Sequence, residues 1–371
     1  GYMDIVFGAY YDGDYYTSSR VYYGSASGFS TSNTVDLPAY GVHSVRVDDL
    51  DDDGYDDVVL ASYYDGDYYT YASIYWGESS GFDISSPTLL GINSPQDMMI
   101  EDLNNDGHLD LIFGAYYGSY YTYIYWGDGT RNYNDGNRTD LYAYYNRKIS
   151  VEDMDQDGQL DLLLPTYGGN DNIWFGDNQD YSGTTTVGGG YSWDMDAADF
   201  NDDGYMDVVT CVYYDSYNGY ITSSALYWSS FGSYSSGYAT TLPTYGCRDV
   251  EVEYVNRDGY EDIIFINHVQ GSASNYVYTT SSMVYYGSGG GFSVNNRDDL
   301  LSYGATNGTL ADLNNDGYPE LLITGYYNGS SYETTAYIHW GDPSGYDSGG
   351  RTGIPSIGGV GEIQVVGGFD Y

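Results

Sequence analysis

The sequence repeats a nine-residue segment whose short acidic side chains could hold a divalent cation. In its cleanest copy, Asp49–Asp57, acids stand at positions 1, 3, 5 and 9, and glycine stands at position 6. Acids at positions 1, 3 and 5 of a tight turn converge on one point, and Gly54 permits the sharp backbone turn. Position 7 can add its backbone carbonyl. Because Ca²⁺ takes about six to eight oxygen ligands, the segment predicts a calcium site.

Five copies of this segment are complete. Those beginning at Asp49 and Asp153 carry four acids each, so we expect them to bind calcium most tightly. The other three have Asn at position 3 and carry three acids each. Packed carboxylates repel one another without a cation, which disfavours a turn that binds no metal. The predicted ligands are Asp49, Asp51, Asp53, Tyr55, Asp57, Asp102, Asn104, Asp106, His108, Asp110, Asp153, Asp155, Asp157, Gln159, Asp161, Asp199, Asn201, Asp203, Tyr205, Asp207, Asp312, Asn314, Asp316, Tyr318 and Glu320.

Two further copies are degraded. The segment Tyr254–Asp262 lacks the first acid and carries Arg257, so we expect a weak or empty site. The last copy is divided between the chain ends, in residues 1–4 and 368–371, and lacks ligands at positions 1 and 5. We expect calcium to be structural in this protein, because the complete loops supply enough oxygens to saturate the ion.

The segment recurs at a period near 50 residues, since its final acid falls at positions 4, 57, 110, 161, 207, 262 and 320. Such a period is typical of a solenoid or a propeller. A second signature recurs inside each period, as in Ile74–Gly77 (IYWG), and it contains five of the six tryptophans. We interpret these aromatic residues as core packing between stacked sheets.

Each period reads as four short strands, with no sustained helical periodicity. The acidic segment follows the first strand, and an apolar run such as Val58–Ala61 forms the second. The sequence therefore predicts an all-β, seven-bladed propeller in a single domain, residues 1–371. Residues 362–366 would form the innermost strand of the first blade and close the ring. The expected blades are approximately 1–43 with 360–371, 44–95, 96–146, 147–192, 193–246, 247–304 and 305–359.

This repeat resembles the FG-GAP or VCBS family, which includes the head of the integrin α-subunit and many secreted microbial proteins. The resemblance covers essentially the whole chain, and Phe7–Ala9 and Phe113–Ala115 keep the family's Phe-Gly step. It implies a propeller with Ca²⁺ in the loop between the first and second strands of a blade. It also implies that the turns between second and third strands lie on the opposite face.

Those second turns are rich in tyrosine and aspartate, as in residues 10–16 and 63–69. Tyrosine rings stack on sugars and carboxylates accept their hydroxyl protons, so a glycan or protein ligand is one interpretation. Self-assembly is another, because tyrosine is enriched in interfaces. A third is that tandem tyrosines only stabilise the hairpins. The candidate ligand-binding residues are Tyr11, Asp12, Asp14, Tyr15, Tyr64, Asp65, Asp67, Tyr68, Tyr117, Tyr120, Tyr214, Tyr217 and Tyr327.

The formal net charge of −44 restricts the partners, because 54 acids face only 10 bases. Nucleic acid is disfavoured, since binding its phosphates requires Lys and Arg. Anionic membranes are disfavoured for the same reason, and no apolar run is long enough to span a bilayer. The chain starts and ends inside one copy of the repeat, which suggests that it is a window on a longer protein.

Smaller features leave alternatives open. Cys211 and Cys247 could form one disulfide or remain buried thiols. Asn137, Asn307 and Asn328 each begin an N-glycosylation triplet. The four histidines share no metal-ligand spacing, and no arrangement of residues demands a catalytic interpretation.

The sequence thus predicts an extracellular or cell-surface calcium-binding propeller used for adhesion or recognition, and not an enzyme. Its expected partner is a glycan, an extracellular protein or another copy of itself. One alternative is a structural subunit of a filament or surface coat that self-associates through its tyrosine-rich loops. A second alternative is a carbohydrate-active propeller enzyme.

Overall fold

The structure is a computed structural model, and within the described residues it is built of β-strands and one short 3₁₀ turn, Asp135–Asn137. No helix among these residues has the length and apolar character needed to cross a membrane. The described residues are 4–11, 15–25, 30–64, 66, 68, 70–115, 120–143, 145–177, 179–230, 232–327, 329–331, 335–355 and 359–366.

The strands follow one another along the chain with short connections. They are β1 (Asp4–Tyr11), β2 (Tyr16–Tyr22), β3 (Thr34–Tyr40), β4 (Val42–Asp48), β5 (Asp57–Ser62), β6 (Tyr71–Tyr75), β7 (Thr88–Gly91), β8 (Pro95–Glu101), β9 (Asp110–Ala115), β10 (Tyr121–Tyr125), β11 (Arg138–Tyr142), β12 (Ser150–Glu152), β13 (Asp161–Leu164), β14 (Tyr167–Asp177), β15 (Asp180–Ala198), β16 (Asp207–Val212), β17 (Ile221–Ser230), β18 (Ser233–Tyr245), β19 (Cys247–Glu253), β20 (Asp262–Asn267), β21 (Gln270–Ser272), β22 (Asn275–Val277), β23 (Thr279–Tyr285), β24 (Arg297–Tyr303), β25 (Ala305–Ala311), β26 (Glu320–Gly325), β27 (Thr335–Asp342), β28 (Gly345–Pro355) and β29 (Gly359–Val366).

The chain divides into two compact units. The first contains residues 1–149, 176–181 and 358–371, and the second contains residues 150–175 and 182–357. Three antiparallel four-stranded sheets belong to the first unit, with strand orders β29-β1-β2-β3, β4-β5-β6-β7 and β8-β9-β10-β11. The C-terminal strand thus lies beside β1, with Asp4 opposite Val366 and Phe7 opposite Ile363. This is the strand pairing that the sequence predicted for residues 362–366.

Most of a seven-stranded sheet, β12 to β18, belongs to the second unit, although residues 176–181 at its β14–β15 turn are assigned to the first. Two four-stranded sheets, β19-β20-β23-β24 and β25-β26-β27-β28, complete the second unit. The long strand β15 joins two sets of four strands. Its first part lies against β14, where Thr186 donates a hydrogen bond to Asn172. Its last part pairs with β16, with Ala198 opposite Asp207. A small hairpin, β21-β22, is added between β20 and β23.

The second strand lies in the hydrophobic core of the sheet, because the side chains of this strand are mainly apolar on both faces. Strands β5, β20 and β26 are buried at every position. Strands that are packed on both faces read as continuous apolar runs, which is the pattern of Val58–Ala61. Outer strands such as β3 and β24 instead alternate between buried and exposed positions.

The aromatic signature packs mainly as predicted. Tyr75, Trp76 and Trp126 are buried in the first unit. Four signature tryptophans, Trp76, Trp126, Trp228 and Trp340, donate the indole N–H to a threonine on the fourth strand, as Trp76 does to Thr88 at 2.9 Å. The indole N–H of Trp174 is buried without a partner. Trp174 and Trp228 are partly buried, and Trp340 is 37% exposed.

Buried aspartates connect the first strands of successive sheets within each unit. Asp194 on β15 accepts the backbone N–H of Val250 on β19 at 3.0 Å. Asp249 on β19 accepts the N–H of Gly308 on β25 at 2.7 Å. In the first unit, Asp97 on β8 accepts the hydroxyl hydrogen bond of Ser44 on β4 at 3.0 Å. Buried carboxylates that bond to backbone amides fix the register between neighbouring sheets.

Cys211 on β16 and Cys247 on β19 form a disulfide, which settles the alternative that the sequence left open. Both residues are fully buried, and they lie in the hydrophobic core between β16, β19 and β20. The bond therefore joins two sheets of the second unit.

Candidate functional site

The acidic segments lie where the resemblance places them, between the first and second strands of a sheet. The loop of residues 49–56 follows β4, and position 9, Asp57, is the first residue of β5. The same placement holds for the loops after β8, β12, β15, β19 and β25. Each described four-strand set that begins with β4, β8, β12, β15, β19 or β25 therefore has one acidic loop between its first and second strands.

Position 1 of each complete loop shapes the turn through its carboxylate. Asp49 accepts the backbone N–H groups of Asp53 at 3.1 Å and Gly54 at 2.8 Å. Asp53 accepts the N–H of Tyr55 at 3.0 Å. These bonds satisfy amides that no strand partner reaches, and they aim the acidic side chains toward the inside of the loop.

The turn also needs a left-handed backbone at position 4, a requirement that the sequence reasoning missed. Position 4 has a φ of +55 to +61° in the described loops, although no glycine stands there. Short polar residues tolerate this conformation better than branched ones. The residues are Asp52, Asn105, Gln156, Asp202, Arg257 and Asn315.

Position 9 is buried and bridges the loop to the third strand of its sheet. Asp57 accepts the N–H of Leu50 at 3.0 Å and the N–H of Gly77 at 2.7 Å. A Cβ on Gly77 would clash with the carbonyl oxygen of Asp56, so only glycine fits there. This explains the glycine that ends the aromatic signature. Burial raises the pKa of Asp57 to about 7, and the two backbone bonds oppose that shift.

The two loops with four acids gather their carboxylates most closely. One oxygen each from Asp49, Asp51 and Asp57 lies within 4.8 Å of the others, and Asp153, Asp155 and Asp161 form an equivalent group. In the first group, Oδ1 of Asp51 is buried and has no hydrogen-bond partner. A buried carboxylate oxygen without a donor is rare and calls for a cation. The residues present therefore fit a calcium ion.

Asparagine at position 3 changes the electrostatics of its loop. Asn104 donates its amide N–H to Asp106 at 3.1 Å. Asn201 donates to Asp207 at 3.2 Å, and Asn314 donates to Glu320 at 3.1 Å. Each amide thus offsets part of the repulsion that a fourth carboxylate would add. Such loops need a cation less than the loops with four acids.

The degraded copies have other contacts at these positions. In the loop after β19, Tyr254 takes the place of the first acid and donates its hydroxyl hydrogen bond to Glu261 at 2.9 Å. Arg257 lies 5.8 Å from the ring of Tyr318 in the next loop. In the divided copy, Asp4 is buried and accepts the N–H of Gly24. Residues 1–3 and 368–371 lie outside the described residues.

The tyrosine-rich turns of the first unit form an aromatic cluster. Tyr15 and Tyr64 lie 4.6 Å apart between ring centres, and Tyr64 and Tyr68 lie 4.8 Å apart. His43 joins the cluster through Tyr63 at 4.5 Å, which the sequence reasoning missed. The side chain of Tyr11 is not described, and Asp12, Asp14, Asp65, Asp67 and Tyr117 lie outside the described residues.

The second unit has a similar cluster. Tyr214 contacts Tyr191 and Tyr220, each at 5.4 Å between ring centres. Tyr327 contacts Tyr278 at 4.9 Å. The other two candidate tyrosines point toward solvent: Tyr217 is 94% exposed, and Tyr120 is 53% exposed. The structure therefore gathers some predicted ligand residues into clusters. Tyr217 projects into solvent, and Tyr120, in the first unit, lies 6.2 Å from the ring of Tyr142.

Two clefts border these tyrosines in the second unit. One, of about 480 Å³, is lined by Tyr276, Tyr278, Tyr326 and Tyr327. The other, of about 310 Å³, is lined by residues that include Tyr191, Tyr214 and Asp171.

The carboxylate of the smaller cleft is nearly fully buried. Asp171 accepts hydrogen bonds from Ser192 at 2.7 Å and from the N–H of Thr166 at 2.9 Å. Burial raises the pKa of Asp171 to about 6, against the effect of these two donors. The cleft combines a carboxylate, hydroxyl groups and aromatic rings, and it can therefore accept hydrogen bonds and stack on a ligand.

The model of the FG-GAP-like repeat matches residues 49–113 and 102–164, which contain the first three complete acidic loops. The chain carries FG-GAP-like repeats. The two matched ranges overlap and are in register with the loops at Asp49, Asp102 and Asp153, so the FG-GAP-like unit coincides with the structural repeat. No curated protein matches the sequence at a significant level.

Solved structures resemble this chain in fold alone, because their sequence identities are low. A putative 6-phosphogluconolactonase from Bacteroides fragilis has a TM-score of 0.57 at 9% identity, and the match covers 98% of each chain. BBS1N, crystallised in complex with ARL6DN and soaked with mercury, has a TM-score of 0.53 at 13% identity. That match covers 89% of this chain and 94% of BBS1N.

Proposed function

We propose that this protein is a calcium-stabilised, seven-bladed β-propeller that acts outside the cell as an adhesion or recognition module. Calcium would have a structural role in it, and the tyrosine-rich turns would carry the binding surface. The proposed role involves no catalysis.

The observation that carries the calcium proposal is the buried, unpartnered Oδ1 of Asp51 beside Asp49 and Asp57. When bound, Ca²⁺ would neutralise these carboxylates and tie the loop to β5. Asp49, Asp51 and Asp57 would hold the ion at this loop, and Asp153, Asp155 and Asp161 would do so at the loop before β13. The remaining predicted positions would complete the oxygen ligands.

The proposed ring of seven blades is supported by the strand order. Seven sets of four strands follow one another in the described part of the chain, if the long strand β15 is counted in both of its sets. The pairing of β29 with β1 completes the first set with residues from the other end of the chain. A closed ring of sheets has no open edge strand between the first blade and the last.

The recognition role is supported by the surface chemistry of the tyrosine-rich turns. The clefts beside Tyr214 and Tyr327 offer aromatic faces and hydrogen-bond acceptors, which suit a glycan or a polar protein surface. The net charge of −44 favours neutral or cationic ligands.

An extracellular location is supported by the disulfide between Cys211 and Cys247. Such bonds persist in oxidising compartments and are rare in the cytosol. Two of the glycosylation triplets are disfavoured. Asn307 is buried on β25, and the side-chain amide of Asn137 donates to the carbonyl of Trp126. Asn328 lies outside the described residues.

A second candidate function, self-assembly into a filament or coat, is favoured by strongly exposed tyrosines. Tyr217 is 94% exposed, Tyr238 is 72% exposed and Tyr142 is 65% exposed. Tyrosine is enriched at the centre of protein interfaces, because its ring is apolar and its hydroxyl can still bond.

A glycan array and analytical ultracentrifugation on the same calcium-loaded protein would separate the two candidates. Binding to a defined glycan by a monomeric protein would support recognition. Absence of binding on the glycan array, together with ordered, concentration-dependent association, would support assembly. Replacement of Tyr217 and Tyr238 by Ser should abolish association only in the second case. A chain that neither binds calcium nor any ligand, and does not associate, would contradict both candidates.

A further inference from the structure

A single arginine contacts the acidic loop at Asp49 from the neighbouring sheet. Arg131 lies in the connection between β10 and β11, about 80 residues further along the chain. Its Nε donates to Oδ2 of Asp51 at 2.5 Å, and its other nitrogens reach Asp53 and Glu78, both at 3.2 Å. The guanidinium also lies 5.1 Å from the ring of Trp76. One cation thus bonds three acids and is stacked on an aromatic ring.

The two oxygens of Asp51 have different environments. Oδ2 bonds Arg131, whereas Oδ1 is buried without a hydrogen-bond partner, and one oxygen of Asp51 belongs to the group with Asp49 and Asp57. The Asp51 side chain is only 8% exposed. A cation on one oxygen already offsets part of the cost of burying a carboxylate. Such a carboxylate therefore gains less from a second positive group than an unpaired carboxylate does.

The other four-acid loop has no such arginine. Among the described residues, no Lys, Arg or His makes an ion pair with Asp153, Asp155 or Asp157. Backbone amides supply the hydrogen bonds described for these three side chains. The two loops have the same acids at positions 1, 3, 5 and 9, but the Asp49 loop also contains Asp52 and Asp56 and has Arg131 beside it.

We propose that Arg131 is a built-in counter-ion of the Asp49 loop. It holds the loop in place without calcium and lowers the affinity of that loop for calcium. The inference rests on the proposed calcium role, and it adds the charge of a neighbouring side chain to a ranking that counts acids alone.

The physical basis is the repulsion between the guanidinium and the ion. Both would lie against Asp51, one at each oxygen, so Ca²⁺ must either share the carboxylate or displace Arg131. A unit charge and a divalent ion some 6 Å apart repel by about 1.4 kcal/mol even at the dielectric constant of water. Removal of the charge should therefore strengthen binding by roughly tenfold at this loop.

The test uses the whole chain with Arg131→Gln, which keeps hydrogen-bond donors and removes the charge. The control is Arg20→Gln, since Arg20 has similar exposure and pairs with Asp36 on a sheet without a complete acidic loop. Calcium binding is followed by calorimetric titration, and the melting temperature is measured in excess chelator. A third variant combines Arg131→Gln with Asp51→Asn.

The expected result for R131Q is one site that binds roughly tenfold tighter and a melting temperature in chelator that is several degrees lower. R20Q should leave the calcium affinities unchanged. The gain must disappear in the combined variant, because that variant lacks the carboxylate that Arg131 and calcium share. Unchanged affinities in R131Q, with calcium binding intact, would overturn the inference and leave the calcium proposal standing. Absence of calcium binding in every variant would overturn both.

Discussion

At the scale of single residues, acidic side chains at different positions of one loop have different structural roles, although they look alike in sequence. Position 1 organises the turn, position 9 is buried and bonds two amides, and position 3 faces the group where a cation fits. Aspartate at position 3 adds a fourth carboxylate, and Oδ1 of Asp51 has no hydrogen-bond partner, whereas asparagine donates to a neighbouring acid. Under the proposed calcium role, the choice between two side chains of nearly equal size would decide how strongly a loop requires calcium.

Buried acids outside the loops also affect stability, and Asp171 gives a prediction of pH dependence. Its pKa is raised from 3.8 to about 6 in the folded protein, mainly by burial. The folded state therefore holds this proton more tightly than the unfolded state between about pH 4 and pH 6. Stability should fall as the pH rises through that range, by on the order of 3 kcal/mol from this group.

The variant Asp171→Asn should remove that contribution and flatten the decline. Asparagine can still accept the bond of Thr166 and can donate to Ser192. The free energy of unfolding is measured by urea titration at several pH values in excess chelator, so that calcium has no effect. Asp36→Asn is the control of opposite sign, because Arg20 lowers the pKa of Asp36. An identical pH profile for D171N and the wild type would contradict the assignment.

At the scale of elements, sheets are joined by side chains of their first strands. Asp194 and Asp249 each accept a backbone N–H from the next sheet. The disulfide adds a covalent link between β16 and β19, beside the pair formed by Asp194 and Val250. The second unit therefore has both polar and covalent connections at one sheet boundary.

Removal of this disulfide should destabilise the protein considerably. It closes a loop with a sequence separation of 36 residues, which corresponds to about 4 kcal/mol in the chain-entropy estimate. The variant with Cys211→Ala and Cys247→Ala should show that loss in urea titration. Reductant should have no further effect on the variant, although it should destabilise the wild type. Equal stability of oxidised and reduced wild type would argue against a structural disulfide.

At the scale of the whole molecule, the net charge is the main feature that affects stability. A net charge of −44 means strong self-repulsion in any compact state, and much of the acid is concentrated in the repeated loops. Calcium at several loops would neutralise part of this charge and bind only the folded chain. Stabilisation by a ligand that binds only the folded state grows with the number of sites.

Chelation should therefore lower the melting temperature on the order of 10 °C or more. The measurement is a thermal scan with excess EDTA and a second scan after calcium is restored. A scan in high salt with EDTA is the control, since salt screens general repulsion without filling the loops. Recovery by salt alone would assign the effect to net charge, and an unchanged melting temperature in EDTA would contradict calcium binding.

The sequence by itself determined the repeat, the all-β class and the position of the acidic loops between first and second strands. These features depend on local patterns: apolar runs, the glycine at position 6 and the regular spacing of acids. It also predicted the pairing of residues 362–366 with the first set of strands, since the divided copy shows what each chain end lacks.

Only the tertiary structure decided which side chains share a site. Arg131 reaches the Asp49 loop across about 80 residues of sequence, and His43 enters the cluster of Tyr63 and Tyr64 from another strand. It also decided that Cys211 and Cys247 are bonded and that Asp171 is buried. Such facts depend on how separate strands pack in space, and contacts between distant segments leave no periodic signal in one sequence.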